Sequence, residues 1–246
     1  MKNLVAYITT GYPEKSFTID LALALGENGV DTLELGVPFS DPVADGPLIE
    51  KANHIALELG FKFHDLLEVS KIIAPKVDTL WMGYFNSFYQ QNMDKLIPLA
   101  REIGINGLII PDVPHEEALA YKDLFNNNSV TNISFVAPTD SEERIKEIVS
   151  DAKKFIYMVA YTGITGSGLA EDLNPFLTSI KKYTPTPVYV GFGVNAATAK
   201  DKVKGADGVI VGSAFVDILL KDELSYTQKI IQCSELAKII KNEINL

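Results

Sequence analysis

Short apolar runs rich in β-branched residues alternate with longer amphipathic stretches along the whole chain, which predicts repeated strand–helix units. Several of the short runs are apolar throughout, as expected of parallel strands that are covered on both faces. Helical periodicity is found at Phe17–Glu27, Leu96–Ile103, Glu142–Asp151 and Phe176–Lys182. Eight runs are predicted as strands: Leu4–Thr9, Asp31–Leu35, Thr79–Tyr84, Gly107–Ile110, Asn132–Ala137, Phe155–Ala160, Val188–Gly191 and Gly208–Val211.

The residues between these segments indicate where helices begin and end. Gly29, Gly104 and Gly205 each stand just before a predicted strand, and each is expected to end a helix in the left-handed conformation. Thr139 and Glu142 have the spacing of a capping box that opens the helix over Glu142–Asp151. No linker or low-complexity stretch divides the chain, so residues 1–246 are predicted to form one domain.

Eight strand–helix units can form either a closed barrel or an open doubly wound sheet. An open sheet that binds a dinucleotide would carry G-x-G-x-x-G after a strand, and the motif beginning at Gly191-Phe192-Gly193 lacks the third glycine. The length of 246 residues is usual for a barrel. We therefore predict an α/β fold of the TIM (β/α)₈-barrel type, with its active site at the C-terminal ends of the strands.

Composition and charge narrow the classes of partner and the expected location. The formal net charge is −10, which disfavours nucleic acid because phosphate backbones are bound by basic surfaces. Cys233 is the only cysteine, so no internal disulfide can form, and it is expected to be packed in a helix. No signal-like segment or apolar run of about 18–20 residues is present, so we expect a cytoplasmic protein without a membrane anchor.

Two carboxylates at the end of the second predicted strand are candidates for acid–base chemistry. Glu34 interrupts the apolar run Leu33–Leu35, where an ionised carboxylate is costly unless it is paired or its pKa is raised. Asp45 lies in the proline-flanked loop that follows, although an Asp-Gly pair is also an ordinary turn. Position alone leaves structural roles open for both residues.

Glycines at the ends of the sixth, seventh and eighth predicted strands are typical of a phosphate site. Gly166, Gly193 and Gly212 lie in these three loops, and Gly212-Ser213 precedes an apolar helical stretch. Glycines let backbone N–H groups approach an anion, and a helix beginning there adds the positive end of its dipole. The pattern predicts that a phosphate is bound, without identifying the molecule that carries it.

The order of residues around the two carboxylates closely resembles that of the tryptophan synthase α chain family. The string from Leu33 to Pro47, L-E-L-G-V-P-F-S-D-P-V-A-D-G-P, is highly specific for that family, whereas the glycine motifs alone fit many phosphate-binding barrels. The resemblance covers nearly the whole chain. It extends to Tyr7–Pro13, Gly107–Pro114, Tyr157–Gly166, Gly191–Gly193 and Gly212-Ser213.

The resemblance implies specific roles in the cleavage of indole-3-glycerol phosphate. Glu34 matches the family's general acid–base, Asp45 the carboxylate that binds the indole N–H, and Tyr157 a tyrosine near the reacting carbons. Asp112 corresponds to a residue near the contact with the β subunit. The remaining matches are substrate-binding positions, in the indole pocket or around the phosphate: Tyr7, Ile49, Thr165, Gly166, Phe192, Gly193, Gly212 and Ser213.

The same resemblance implies an α2β2 complex in which indole passes to a β subunit that makes L-tryptophan. Pyridoxal phosphate would belong to that partner, and this chain is expected to need no cofactor or metal, because protonated indole can accept the electrons of the broken bond. Relatives usually carry an extra helix before the first strand, which we expect this chain to lack, and Tyr161 departs from the family pattern. The alternative that remains open is a catalytically silent phosphate-binding barrel acting as a regulatory subunit.

Overall fold

The computed structural model describes residues 1–159, 173–191 and 193–246. All the strand pairs in this part of the chain are parallel. The first element is a strand, and helices follow the strands as the alternating pattern predicted. The strands are β1 (Asn3–Thr9), β2 (Thr32–Gly36), β3 (Asp78–Met82), β4 (Gly107–Ile109), β5 (Thr131–Asn132), β6 (Ser134–Val136), β7 (Ile156–Val159), β8 (Val188–Gly191) and β9 (Gly208–Val211).

Helices cover the outside of this sheet. Their apolar faces pack against the outward side chains of the strands in a large core that includes Phe17, Leu33, Trp81 and Phe215. The helices are α1 (Lys15–Glu27), α2 (Pro47–Glu58), α3 (Phe63–Ile73), α4 (Phe85–Tyr89), α5 (Met93–Ile103), α6 (His115–Ala118), α7 (Lys122–Asn127), α8 (Glu142–Val149), α9 (Asn174–Lys181), α10 (Ala199–Lys202), α11 (Ser213–Leu219) and α12 (Tyr226–Glu243), with a 3-10 turn at Leu119–Tyr121.

The sheet closes into a barrel at the fifth predicted strand. The strand order is β5-β4-β3-β2-β1-β9-β8-β7-β6, so its two ends belong to consecutive segments of the chain. Between them, the N–H of Ile133 still donates to the carbonyl of Leu108, whereas Ser134 already pairs with Ile156. The predicted strand Asn132–Ala137 is therefore two short segments, because the chain changes its partner strand at Ile133. The predicted barrel is confirmed.

The ends of the helices test the predicted caps. Gly29, Gly104 and Gly205 have φ values of 104°, 98° and 74°, which confirms the left-handed junctions. The capping box at Thr139 is wrong: Ser141 caps α8, and its Oγ accepts from the N–H of Arg144. The physical reason is a turn just before the helix, in which the N–H of Ala137 donates to Asp140 Oδ2 at 2.7 Å.

Inside the barrel, the strands contribute a second apolar core. One inward side chain from each of several strands meets there, among them Val5, Leu80, Tyr189 and Ile210. Facing residues of neighbouring parallel strands point to the same side of the sheet. Because Glu34 faces Leu80 in the register of β2 and β3, its side chain also points inward. This register places a carboxylate at the top of the barrel interior.

The N-terminal end of the barrel is fastened by a polar network. Asp78, at the start of β3, accepts hydrogen bonds from Lys154, Asn106 and Thr32, with the two Lys154 contacts at 2.9 and 2.7 Å.

Cys233 is fully buried in α12, where burial raises the pKa of its thiol to about 12. No helix in the described ranges has the length and apolar character needed to cross a membrane.

Candidate active site

A cavity of about 710 Å³ opens at the C-terminal ends of the strands. Strands β1, β2, β3, β7 and β9 contribute side chains to its walls, together with the segments that follow β2, β8 and β9. Eight of the residues predicted from the sequence line it together: Tyr7, Glu34, Asp45, Ile49, Tyr157, Gly193, Gly212 and Ser213. Thr165, Gly166, Phe192 and Tyr161 lie outside the described residues.

Glu34 is buried in the wall of this cavity, with 2% of its surface exposed. Its Oε1 has no hydrogen-bond partner among the described residues. Burial, and secondarily the charge of Asp45, raises the pKa of Glu34 to about 8. A carboxyl group with such a pKa is protonated near neutral pH and can donate a proton to a bound molecule.

Asp45 reaches the same cavity from the loop between β2 and α2. Its backbone N–H donates to the carbonyl of Pro42 at 2.9 Å, which tightens the loop ahead of α2. Burial raises the pKa of Asp45 to about 6, and a hydrogen bond from the hydroxyl of Tyr84 opposes that rise. At neutral pH Glu34 is therefore protonated, whereas Asp45 is ionised.

Two tyrosines fill the space above the barrel core on either side. A Cβ added to Gly36 would lie 2.3 Å from the hydroxyl of Tyr7, and one added to Gly191 would lie 2.3 Å from the ring of Tyr157. Both glycines are therefore required for the tyrosine rings to take these places. Burial raises the pKa of both tyrosines well above the usual value, so both hydroxyls remain protonated donors.

Another part of the cavity wall is built from backbone at the ends of β8 and β9. Gly193 has a φ of 67°, and no atom lies within 4 Å of the place where its Cβ would be. Gly212 caps α11, so the N–H groups of Ser213 and Ala214 face outward in the first turn. The Oδ1 of Asn195 binds the N–H groups of Ala197 and Thr198 and shapes the adjoining loop.

Neither lysine nor arginine is among the described residues that line the cavity. Residues 160–172 and 192 contain none either. Charged side chains of the lining are the acids Glu34, Asp45 and Asp217. An anion in this cavity would consequently be held by backbone N–H groups and hydroxyls. No group of three or more potential metal ligands occurs in the part of the chain that the structure describes.

Asp112 does not belong to this cavity. It is exposed beyond β4, where its Oδ1 accepts from the backbone N–H of Phe85 at 2.8 Å. It lines a separate cavity of about 300 Å³ together with Pro111, His115 and Arg144. This position on the outer rim agrees with a surface role rather than with contact to the bound molecule.

Sequence reasoning missed Tyr84, which stands immediately beyond β3. Its hydroxyl donates to Asp45 Oδ2 at 3.1 Å and accepts from the N–H of Ala44 at 2.9 Å. The sequence pattern included Tyr84 in the third predicted strand, which in fact ends at Met82. Met82 and Ile210 were also missed as apolar walls. Met82 lies two residues after the inward-facing Leu80, and Ile210 belongs to the barrel core itself. The alternation of inward and outward side chains along each strand would have identified both residues.

Comparisons with known proteins identify the family of this chain. The family model described as "Tryptophan synthase alpha chain" matches residues 1–245. The tryptophan synthase alpha chain of Wolinella succinogenes is 54% identical over 246 residues, which cover 100% of this chain and 96% of that protein. That of Alkaliphilus metalliredigens is 39% identical, covering 88% and 83%.

Solved structures give the same result. The tryptophan synthase subunit alpha from Campylobacter jejuni superposes with a TM-score of 0.87 at 33% identity, over 96% of this chain and 95% of that one. A chain of Mycobacterium tuberculosis tryptophan synthase superposes with a TM-score of 0.89 at 31% identity, over 100% and 93%. The chain therefore belongs to the tryptophan synthase alpha chain family, whose members are lyases of tryptophan biosynthesis.

Proposed function

We propose that this chain cleaves indole-3-glycerol phosphate to indole and glyceraldehyde 3-phosphate, with Glu34 and Asp45 as its catalytic residues. The observation that carries the proposal is the burial of Glu34 beside Asp45 in one cavity, with pKa values of about 8 and about 6. Two carboxyl groups held in different protonation states provide an acid and an anion at the same pH.

The protonated Glu34 gives its proton to C3 of the indole ring. The positive charge that develops on the ring nitrogen is stabilised by the ionised Asp45, which accepts a hydrogen bond from the N–H. The Glu34 carboxylate then removes the proton from the glycerol hydroxyl next to the ring. The carbon–carbon bond breaks, its electron pair restores neutral indole, an aldehyde forms, and Glu34 is again protonated.

Tyr7, Tyr157 and Ile49 would hold the ring and the reacting carbons, and Phe192 belongs to the same proposed set. The phosphate would be bound by Gly193, Gly212 and Ser213, with Gly166 assigned to it by resemblance, and Thr165 would be a further substrate-binding residue. Because the protonated ring accepts the electrons, neither a Schiff-base lysine nor a metal is required, and we propose that the chain uses no cofactor. The absence of lysine from the described lining supports this chemistry.

We also propose that the chain assembles with a tryptophan synthase β subunit as an α2β2 complex, with Asp112 near the contact. Indole would pass to that subunit, which would hold the pyridoxal phosphate. Family membership and the exposed position of Asp112 support the assembly. Light scattering of the chain mixed with a β subunit should give the mass of the tetramer. Two separate species at micromolar concentration would refute the proposal.

The reaction is tested by indole release from indole-3-glycerol phosphate. We expect wild type to release indole, and Glu34→Gln and Asp45→Asn to lose about a hundredfold or more of the rate. Glu58→Gln, on the exposed end of α2, is the matched control and should keep full activity. A folded wild type that releases no indole, with or without a β subunit, would favour the catalytically silent, phosphate-binding regulatory barrel.

A further inference from the structure

Tyr84 contacts the loop that carries Asp45 in three ways. Its hydroxyl donates to Asp45 Oδ2 at 3.1 Å and accepts from the backbone N–H of Ala44 at 2.9 Å. Its ring stacks on Phe39, with ring centroids 5.1 Å apart and planes inclined by 19°. The side chain is buried, with 2% exposed. The three contacts connect the start and the end of one loop to a single residue that follows the neighbouring strand β3.

The two hydrogen bonds fix the direction of the Tyr84 O–H group. A phenol oxygen that accepts from the Ala44 N–H has its own hydrogen left for one acceptor, and Asp45 Oδ2 is within reach. The carboxylate is thereby held through one oxygen. Its other oxygen, Oδ1, is then the one that can accept a hydrogen bond from an indole N–H.

We propose that Tyr84 is a positioning residue for the cleavage reaction, whose hydroxyl holds the Asp45 carboxylate ionised and in place for the indole N–H. This inference rests on the proposed function, because it acts through the assigned role of Asp45. Tyr84 itself does not have to touch the substrate. Its ring would hold the loop in place through the stacking on Phe39, and its hydroxyl would keep the Asp45 carboxylate ionised.

The hydroxyl and the ring can be separated by experiment. Tyr84→Phe keeps the ring on Phe39 and removes only the two hydrogen bonds. Burial raises the pKa of Asp45, and the bond from Tyr84 lowers it. Without that bond the pKa of Asp45 rises further, so the acid limb of the kcat/KM profile should move to higher pH. A merely structural contribution of Tyr84 would lower the rate equally at every pH.

The matched control is Tyr189→Phe, at the N-terminal end of the barrel, where the hydroxyl accepts from Asn3 Nδ2. Like Tyr84→Phe, the Tyr189→Phe substitution removes one buried tyrosine hydroxyl, but at the end of the barrel away from the cavity. We expect Tyr84→Phe to lose about tenfold in kcat/KM at neutral pH, since a hydrogen bond to a charged group is broken. Tyr189→Phe should keep both the rate and the acid limb of wild type.

A double-mutant cycle with Asp45→Asn completes the test. If Tyr84 acts through Asp45, adding Tyr84→Phe to Asp45→Asn should cost less than about threefold instead of tenfold. An unmoved acid limb, or the full tenfold loss in both backgrounds, would overturn the role of Tyr84 while leaving that of Asp45 intact. An Asp45→Asn variant as fast as wild type would instead overturn the proposed role of Asp45, and this inference with it.

Discussion

Glu34 and Asp45 line one cavity, and burial gives them pKa values of about 8 and about 6. Both pKa values lie above the usual range of their residue types. The pKa of Glu34 is the higher of the two because its side chain is more deeply buried. Glu34 points into the barrel from β2, whereas Asp45 stands in the loop above it and receives a hydrogen bond from Tyr84. The pair can therefore serve as acid and anion near neutral pH.

The first prediction is a bell-shaped pH profile of kcat/KM. Activity requires ionised Asp45 and protonated Glu34, so the rate should fall below pH of about 6 and above pH of about 8. Indole release measured from pH 4.5 to 10 at subsaturating substrate checks this. A rate that keeps rising through pH 9 would mean that Glu34 starts the reaction ionised, as a base.

The second prediction concerns stability and Glu34→Gln. The folded-state pKa of Glu34 lies above the ordinary value, so its contribution to stability is complete below about 4.5 and is lost as pH rises through about 8. Wild type should therefore become less stable than Glu34→Gln between pH 5 and 9, by a few kcal/mol at about 1.4 kcal/mol per pKa unit.

Urea unfolding of both proteins at pH 5, 7 and 9 measures this difference, with Glu58→Gln, at an exposed position, as the control for replacing a glutamate. If the two unfolding free energies remained parallel across this range, the pKa of Glu34 could not be raised in the folded state. The catalytic role would then require another source for the proton.

The third prediction is that Gly36→Ala disturbs the cavity through Tyr7. The added Cβ would lie 2.3 Å from the Tyr7 hydroxyl, so the ring must move into the space for the indole. Overpacking of this kind costs about 1–3 kcal/mol, and kcat/KM should fall by about tenfold or more. A second substitution, Tyr7→Leu, should recover part of the lost melting temperature. Equal melting temperatures of wild type and Gly36→Ala would contradict the contact.

The fourth prediction separates stability from catalysis at the other end of the barrel. Burial alone would raise the pKa of Asp78, but hydrogen bonds from Lys154 and Asn106 lower it below the usual value. Asp78→Asn should cost about 1–3 kcal/mol of unfolding free energy, because Lys154 loses its carboxylate partner. Its kcat/KM should equal that of wild type at 25 °C. A loss of activity without a loss of stability would show that this network reaches the cavity.

The barrel, the buried position of Glu34 and the glycine positions were predictable from local pattern, whereas Tyr7, Ile49 and Tyr157 were expected only from the resemblance to the family. Apolar runs, the glycine junctions and a carboxylate inside an apolar run are all visible in the order of residues. The change of partner strand at Ile133 was not predictable. A run of six apolar and polar residues can pair with one neighbouring strand along its whole length, or it can leave that strand part of the way along and pair with another. The cap at Ser141 was missed because a turn made by Asp140 precedes the helix.

Tyr84 is the clearest example of a site residue that the sequence did not predict. Tyrosine has a high strand propensity, so its place at the end of an apolar run predicted a strand residue. Its actual importance comes from a loop 39 residues away in sequence, whose backbone and carboxylate it binds. A contact of that kind follows from the closure of the barrel and the ring stacked on Phe39, and no local pattern contains it.

Among the described residues, the cavity lining contains acids but neither lysine nor arginine. A phosphate held there by N–H groups and a serine hydroxyl meets donors that do not titrate in the physiological range. The acidic side chains nearby also make the binding of such an anion weaker than binding by lysine or arginine side chains would be. We therefore expect the phosphorylated three-carbon product of the proposed reaction to leave this cavity more readily than it would leave a site with a cationic clamp.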